Sequence, residues 1–243
     1  MKLFLAASVS LCLGIPLFAQ SGYQQFTLSS NPSALELTQL FTETTQGIHD
    51  PFVVLRQISA MGDTVVPALK TFLLATPTLK VATVDLNGKT DTVPAPPPNR
   101  VYGVMALDLI GTPLAYQTLA IIAQSDSDEE VRGTALKVFA TSYYFKTQQD
   151  STLPEKEAVH LLLRNVDDTT YVYDCVMRIG EIARAGLTNW TGVDYGEIPP
   201  DSIKTKTEKK LGKTMTQYRE EWWQQHSTNM KWNKATGHFE VKQ

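Results

Sequence analysis

Asp128-Glu129-Glu130-Val131-Arg132-Gly133-Thr134-Ala135-Leu136-Lys137-Val138-Phe139-Ala140 is the stretch that decides the fold. Asp128 stands where an N-cap belongs, because its carboxylate can accept the first free backbone N–H groups of a helix. Val131, Leu136 and Phe139 then follow at steps of five and three, which keeps them on one helical face. Ser127 with Glu130 offers a capping box one residue earlier. Outward from this stretch the pattern recurs three times. Copies open at Asp50 (closing Gln57-Ile58-Ser59-Ala60-Met61-Gly62), at Asn99 (Ala106-Leu107-Asp108-Leu109-Ile110-Gly111) and at Asp168 (Cys175-Val176-Met177-Arg178-Ile179-Gly180). Ile58, Leu107, Leu136 and Val176 hold the same aliphatic position and are expected in the interior. A repeat of this kind names an architecture, since one amphipathic helix pair cannot shelter its own apolar face and must stack on neighbours.

Second helices fill the spaces between copies. Thr64 to Ala75 carries Val65, Val66, Leu69, Phe72 and Leu73; Thr112 caps a helix opened by Pro113; Pro154 to Arg164 carries Val159, Leu161, Leu162 and Leu163. Pro at a first helical position loses nothing, because its missing N–H has no partner there anyway. A further helix runs from Ser33 to Gln46, with Gly47 as its stop. The first two copies lie far apart because of an insertion over 78–98. Val81 to Leu86, Asn87-Gly88 and Lys89 to Val93 predict a β-hairpin at about 81–93 on a two-residue turn, and Pro94 with Pro96-Pro97-Pro98 forms a stiff return. Tyr143 to Thr152 reads as a long inter-helix loop. Beyond Gly186 the helical pattern stops. Met215 to His226 returns to helix, and Met230 to Trp232 with His238 to Val241 reads as a terminal hairpin.

Asp128-Glu129-Glu130-Val131-Arg132 with Ala135-Leu136 resembles the signature of HEAT and HEAT-like (phycobilisome-lyase type) repeats, and Val66-Pro67-Ala68-Leu69 is similar to the Pro-x-Leu element of their second helix. Val54, Gly103 and Val172 replace Arg132 in the other copies, a departure from the Asp–Arg ladder that some members use. The tail, Leu187-Thr188, Gly192-Val193-Asp194-Tyr195-Gly196 and Trp222-Trp223, resembles the ending of exported bacterial HEAT-repeat proteins. The resemblance covers about residues 50–185. It implies an all-α fold, a short right-handed α-α superhelix, and service as a binding scaffold.

Residues 1–20 read as a signal peptide: Lys2, an apolar stretch from Leu3 to Phe18 broken by Gly14 and Pro16, then Ala19. Residues 21–32 form a polar, flexible N-terminus, 33–186 the repeat domain and 187–243 a loop, helix and hairpin cap. Loss of the leader leaves 21 basic against 25 acidic side chains. Without a basic excess, no nucleic-acid partner is expected. No transmembrane segment is expected after cleavage. Cys175 is then the one mature cysteine, so stability rests on packing rather than on a disulfide. It fills the position of Ala106 and Ala135, which predicts a small buried core residue.

No motif carries catalysis. Gly88-Lys89-Thr90 and Gly212-Lys213-Thr214 lack the earlier glycine of a phosphate loop, for Thr83 and Thr207 stand there. The four histidines are scattered, and Asp126, Asp128, Glu129 and Glu130 lack the glycine and distal glutamate of a calcium loop. No cofactor and no metal are expected. Lysines 204, 206, 209, 210 and 213 read as a solvated segment. Asn87 and Gly88 at the hairpin tip, and Trp222, Trp223 and Trp232 in the tail, are the candidate binding surface. Adjacent Trp222 and Trp223 point to different helix faces, so one of them is expected in the interior. The leading expectation is a non-catalytic protein–protein interaction scaffold of the cell envelope or exterior. Alternatives are a glycan- or peptide-binding protein working through the tail tryptophans, and an enzyme whose site is assembled across repeats.

Overall fold

The computed structural model describes residues 23–75, 80–84, 90–94, 98–149, 156–173, 175–194 and 201–241; the expected leader and the tip residues Asn87 and Gly88 lie outside them. The described chain is mostly helical with small antiparallel hairpins. Helix α1 (Ala34–Thr45) opens on a reciprocal cap, in which Ser33 Oγ accepts the Glu36 N–H and the Glu36 carboxylate accepts the Ser33 N–H. Asp50 caps α2 (Pro51–Ser59), and a 3-10 turn leads to α3 (Val66–Leu74). After β1 (Lys80–Val84) and β2 (Thr90–Pro94) come α4 (Val101–Ile110), α5 (Pro113–Ser125) and α6 (Glu129–Ala140). Asn99 Oδ1 accepts the Val101 N–H, Thr112 Oγ1 the Ala115 N–H, and Asp128 Oδ1 the Glu130 and Val131 N–H groups. These caps satisfy donors that a helix start otherwise leaves open.

The remainder is α7 (Ser142–Gln149), α8 (Glu157–Asn165), β3 (Tyr171–Val172), β4 (Met177–Arg178), α9 (Ile179–Thr191), α10 (Asp201–Leu211), α11 (Met215–His226), β5 (Met230–Asn233) and β6 (His238–Val241). Packing follows two rows. Helix α4 lies against α2 and α6, and α6 against α9; helix α3 lies against α1 and α5, and α5 against α8. Cross-contacts between α3 and α4, α4 and α5, α5 and α6, and α8 and α9 join the rows. The shared interior holds Ile58, Leu69, Phe72, Leu107, Leu119, Leu136, Leu162 and Trp190, all fully buried. Three glycines allow close approach: a Cβ on Gly103 would strike Phe72 and Leu73, on Gly133 it would strike Val172, and on Gly186 it would strike Ala140.

Several expectations need correction. The copy at Asp168 is not a helix. Tyr171 and Val172 pair with Arg178 and Met177, and Val176, expected inside, is 71% exposed with a φ of 53°. Extended pairing of a Tyr and a β-branched Val wins there over the helical spacing. Helix α9 starts only at Ile179, where Thr170 O accepts the Ile179 N–H and Asp168 O the Gly180 N–H. Its matching small–aliphatic pair is therefore Gly186-Leu187. Cys175 is half-buried beside this hairpin rather than interior. Helix α9 also runs past Gly186 to Thr191 and ends on Gly192 in the left-handed region, φ 68°. Helix α7 replaces the expected loop, because Tyr143 and Tyr144 pack on Trp190 at 5.7 and 5.3 Å between centroids. The lysine-rich segment is helical as α10.

In the inserted hairpin, Val84 faces Thr90 and Val81 faces Val93. The expected two-residue turn on Asn87-Gly88 lies outside the described residues. The terminal hairpin pairs Met230 with Val241 and Trp232 with Phe239, as expected.

Candidate functional site

Helices α5 and α8 border a cleft of about 270 Å³. Its floor is aromatic. Tyr116 and Tyr143 lie 4.3 Å apart between centroids, and Phe139 meets Tyr143 edge-on at 5.7 Å. Tyr116 follows from the spacing on α5, where Ala115, Thr118, Leu119 and Ile122 turn inward and leave Gln117 and Gln124 outward, two turns apart. Helix α8 is strongly two-faced: Val159, Leu161, Leu162 and Leu163 are buried, while Glu157, His160 and Arg164 line the cleft. Steps of three and four put those three polar residues on one stripe.

Helix α11 closes one side of this stripe. Glu220 Oε2 lies 2.8 Å from His160 Nε2, Glu220 Oε1 lies 3.0 Å from Arg164 Nε, and Trp223 stacks on the His160 ring at 4.7 Å and 6°. Glu220 and Trp223 are three apart on α11, so both face α8. Two further ties hold the helix down. Lys156 Nζ donates to Ser227 O at 2.7 Å, and the Arg219 guanidinium donates to Asp167, which also accepts Arg184 Nη2 at 2.9 Å. His160 is thus held between a carboxylate and an indole. Glu157, 66% exposed, comes only within 3.7 Å of His160 Nδ1. Arg164, 47% exposed and lining the cleft, uses Nε toward Glu220, and its Nη groups make no hydrogen bond or ion pair among the described residues. Gln117 and Gln124 also keep their amides free of intramolecular partners among the described residues.

At the α4–α5 turn, Lys146 Nζ of α7 donates to Gly111 O at 2.5 Å and sits 5.6 Å over the Tyr116 ring. That contact fixes one wall of the aromatic floor. Asp108 lies in the same corner; burial pushes its carboxyl up, while the Ser142 hydroxyl and the Lys146 charge pull it back.

The residues singled out in the sequence are not brought together. Trp223 is 7% exposed and serves the α11–α8 contact. Trp232 packs edge-on against Trp190 and Phe239 at the terminal hairpin. Trp222 is half-buried and stacks on His226. No shared platform results, because Trp223 and Trp232 anchor different elements. Three of the four acids near 128 are engaged as well: Asp126 pairs with Arg100, Asp128 caps α6, and Glu130 accepts the Tyr173 N–H, while Glu129 is exposed. Among the described residues no group of three His, Cys, Asp or Glu side chains is placed to hold a metal ion, and no single helix is long and apolar enough to cross a membrane.

The cleft residues escaped sequence reading because Gln117, Gln124, Glu157 and Arg164 are ordinary polar positions on helix surfaces. Only the approach of α5 to α8 makes them neighbours. Comparison of the chain with family models, curated proteins and solved structures finds no match.

Proposed function

We propose that this chain is a non-catalytic interaction scaffold: a short right-handed HEAT-like superhelix that holds a segment of a partner protein in the cleft between α5 and α8. One observation carries the reading. Side chains able to bind a peptide, Gln117, Gln124, Glu157 and the Arg164 Nη groups, ring an aromatic floor and are not consumed by intramolecular contacts. A concave site with an apolar base and a few converging polar groups is the usual form of a ligand site. Of the titratable groups beside it, His160 and Glu220 are spent on structure, tying α11 to α8.

The two rows of helices support the superhelix, each row being a succession of like contacts. Residues 1–20, read as a signal peptide, support a location in the envelope or outside the cell. Affinity capture from the exported fraction tests the proposal. Wild-type chain is expected to retain a specific protein that the Gln117→Leu/Gln124→Leu variant loses. Equal capture by both would refute the cleft as the contact.

A further inference from the structure

The rim of the cleft has a geometry that narrows the class of segment it accepts. Gln117 and Gln124 are seven residues apart on α5, and Glu157 and Arg164 are seven apart on α8. Seven residues of α-helix span about 10.5 Å. Three residues of polyproline II chain span about 9 Å and bring residues i and i+3 to the same side, since that helix has three residues per turn. An ordinary β-strand covers about 10 Å in three residues but turns its i and i+3 groups to opposite sides. The threefold helix therefore fits a pair of amides set on one wall.

Chemistry agrees with spacing. A glutamine amide offers one acceptor oxygen and two donor hydrogens, so it can serve a backbone C=O and, where present, an N–H. Polyproline II leaves those groups unused by internal bonds. Grooves lined by aromatic rings are the recurring receptors for such segments, and the floor here is Tyr116 and Tyr143. The opposite wall adds a charge pattern: a largely exposed carboxylate at Glu157 and a half-exposed guanidinium at Arg164, one at each end.

Resting on the scaffold reading above, we infer that the cleft binds a proline-containing polyproline II segment of its protein partner, with a basic residue against Glu157 and an acidic residue three positions away against Arg164. Gln117 and Gln124 hold its backbone, and the prolines lie on the cleft floor against Tyr143, the more exposed of its two tyrosines.

Four synthetic peptides test this by calorimetric titration of the full chain: Ala-Lys-Pro-Pro-Glu-Ala, its reverse Ala-Glu-Pro-Pro-Lys-Ala, the doubly acidic Ala-Glu-Pro-Pro-Glu-Ala, and the flexible Ala-Lys-Gly-Gly-Glu-Ala, all with blocked ends. One of the first two peptides is expected to bind at least about tenfold tighter than the glycine peptide, whose ordering entropy is larger. Gln117→Leu/Gln124→Leu should weaken it by about tenfold or more, the effect of two lost hydrogen bonds, with helical circular dichroism unchanged because both positions are exposed. Glu157→Lys should shift preference to Ala-Glu-Pro-Pro-Glu-Ala. Equal affinity for proline and glycine peptides, or a preference untouched by Glu157→Lys, would overturn the inference. Capture of a natural partner through the cleft with no binding of any proline peptide would overturn it too, while leaving the scaffold reading standing. Loss of partner capture at the cleft would remove both.

Discussion

Trp190 Nε1 of α9 donates a hydrogen bond to the Phe139 carbonyl of α6 at 2.7 Å, inside the core. The preceding residue of α9 and the following residue of α6 repeat the contact, for Asn189 Nδ2 donates to Ala140 O at 2.9 Å. Two side chains of α9 thus satisfy the C-terminal carbonyls of α6, groups that a helix end otherwise leaves to water. The same indole packs on Tyr143, Tyr144, Trp232 and Phe239, so it joins α6, α7, α9 and the terminal hairpin. Trp190→Ala is expected to cost about 3–5 kcal/mol, as for other buried tryptophans. Urea denaturation followed by circular dichroism checks it; a loss below about 1 kcal/mol would mean that the indole does not organise this end of the fold.

Gly133 gives Val172 its seat on α6. Gly133→Ala should destabilise by about 1–3 kcal/mol through overpacking, despite the better helix propensity of alanine. Val172→Ala should relieve much of that loss in the double variant, which a double-mutant cycle measures. Additive effects would show that the hairpin does not rest on Gly133.

Asp167 is shared by Arg184 of α9 and Arg219 of α11, all three largely shielded from water. Asp167→Ala leaves both guanidinium groups uncompensated and should cost about 3 kcal/mol. Hydrogen exchange should then rise first in residues 215–226, because α11 loses one of its ties and buries only Trp223 of its own residues. Uniform exchange along the chain would contradict this ordering.

Asp108 gives a pH dependence with a definite sign. Burial raises its folded-state pKa above the ordinary 3.8, so the folded chain binds the proton more tightly than the unfolded chain does. Its contribution favours folding below about pH 4 and is lost as pH rises through the folded value. Asp108→Asn, which keeps a partner for Ser142, should therefore raise the melting temperature near neutral pH and leave it unchanged in acid. An equal shift at both pH values would assign the effect to packing instead.

Much of this architecture is written locally. Asp50, Thr112 and Asp128 each cap the helix expected of them, since a short polar side chain before an apolar stripe acts within one turn. The copy at Asp168 misled because a spacing of five and three is also met by a hairpin whose Val176 points to water. Gly186-Leu187 was the readable sign of the correct register, matching Ala106-Leu107 and Ala135-Leu136. Helix α7 hid behind Tyr143-Tyr144-Phe145, a strand-prone run that packing against Trp190 holds helical. Pairings such as His160 with Glu220 are set by tertiary approach across sixty residues and leave no local trace.

The scaffold reading is tested most directly by placing a photo-crosslinking residue at position 117, on the cleft rim, and at position 52, exposed on α2 away from it. After irradiation in unfractionated native cells and medium, the account predicts a discrete protein adduct at 117 that is absent at 52 and suppressed by Arg164→Ala. No adduct at 117, or the same adducts from both positions, would contradict it.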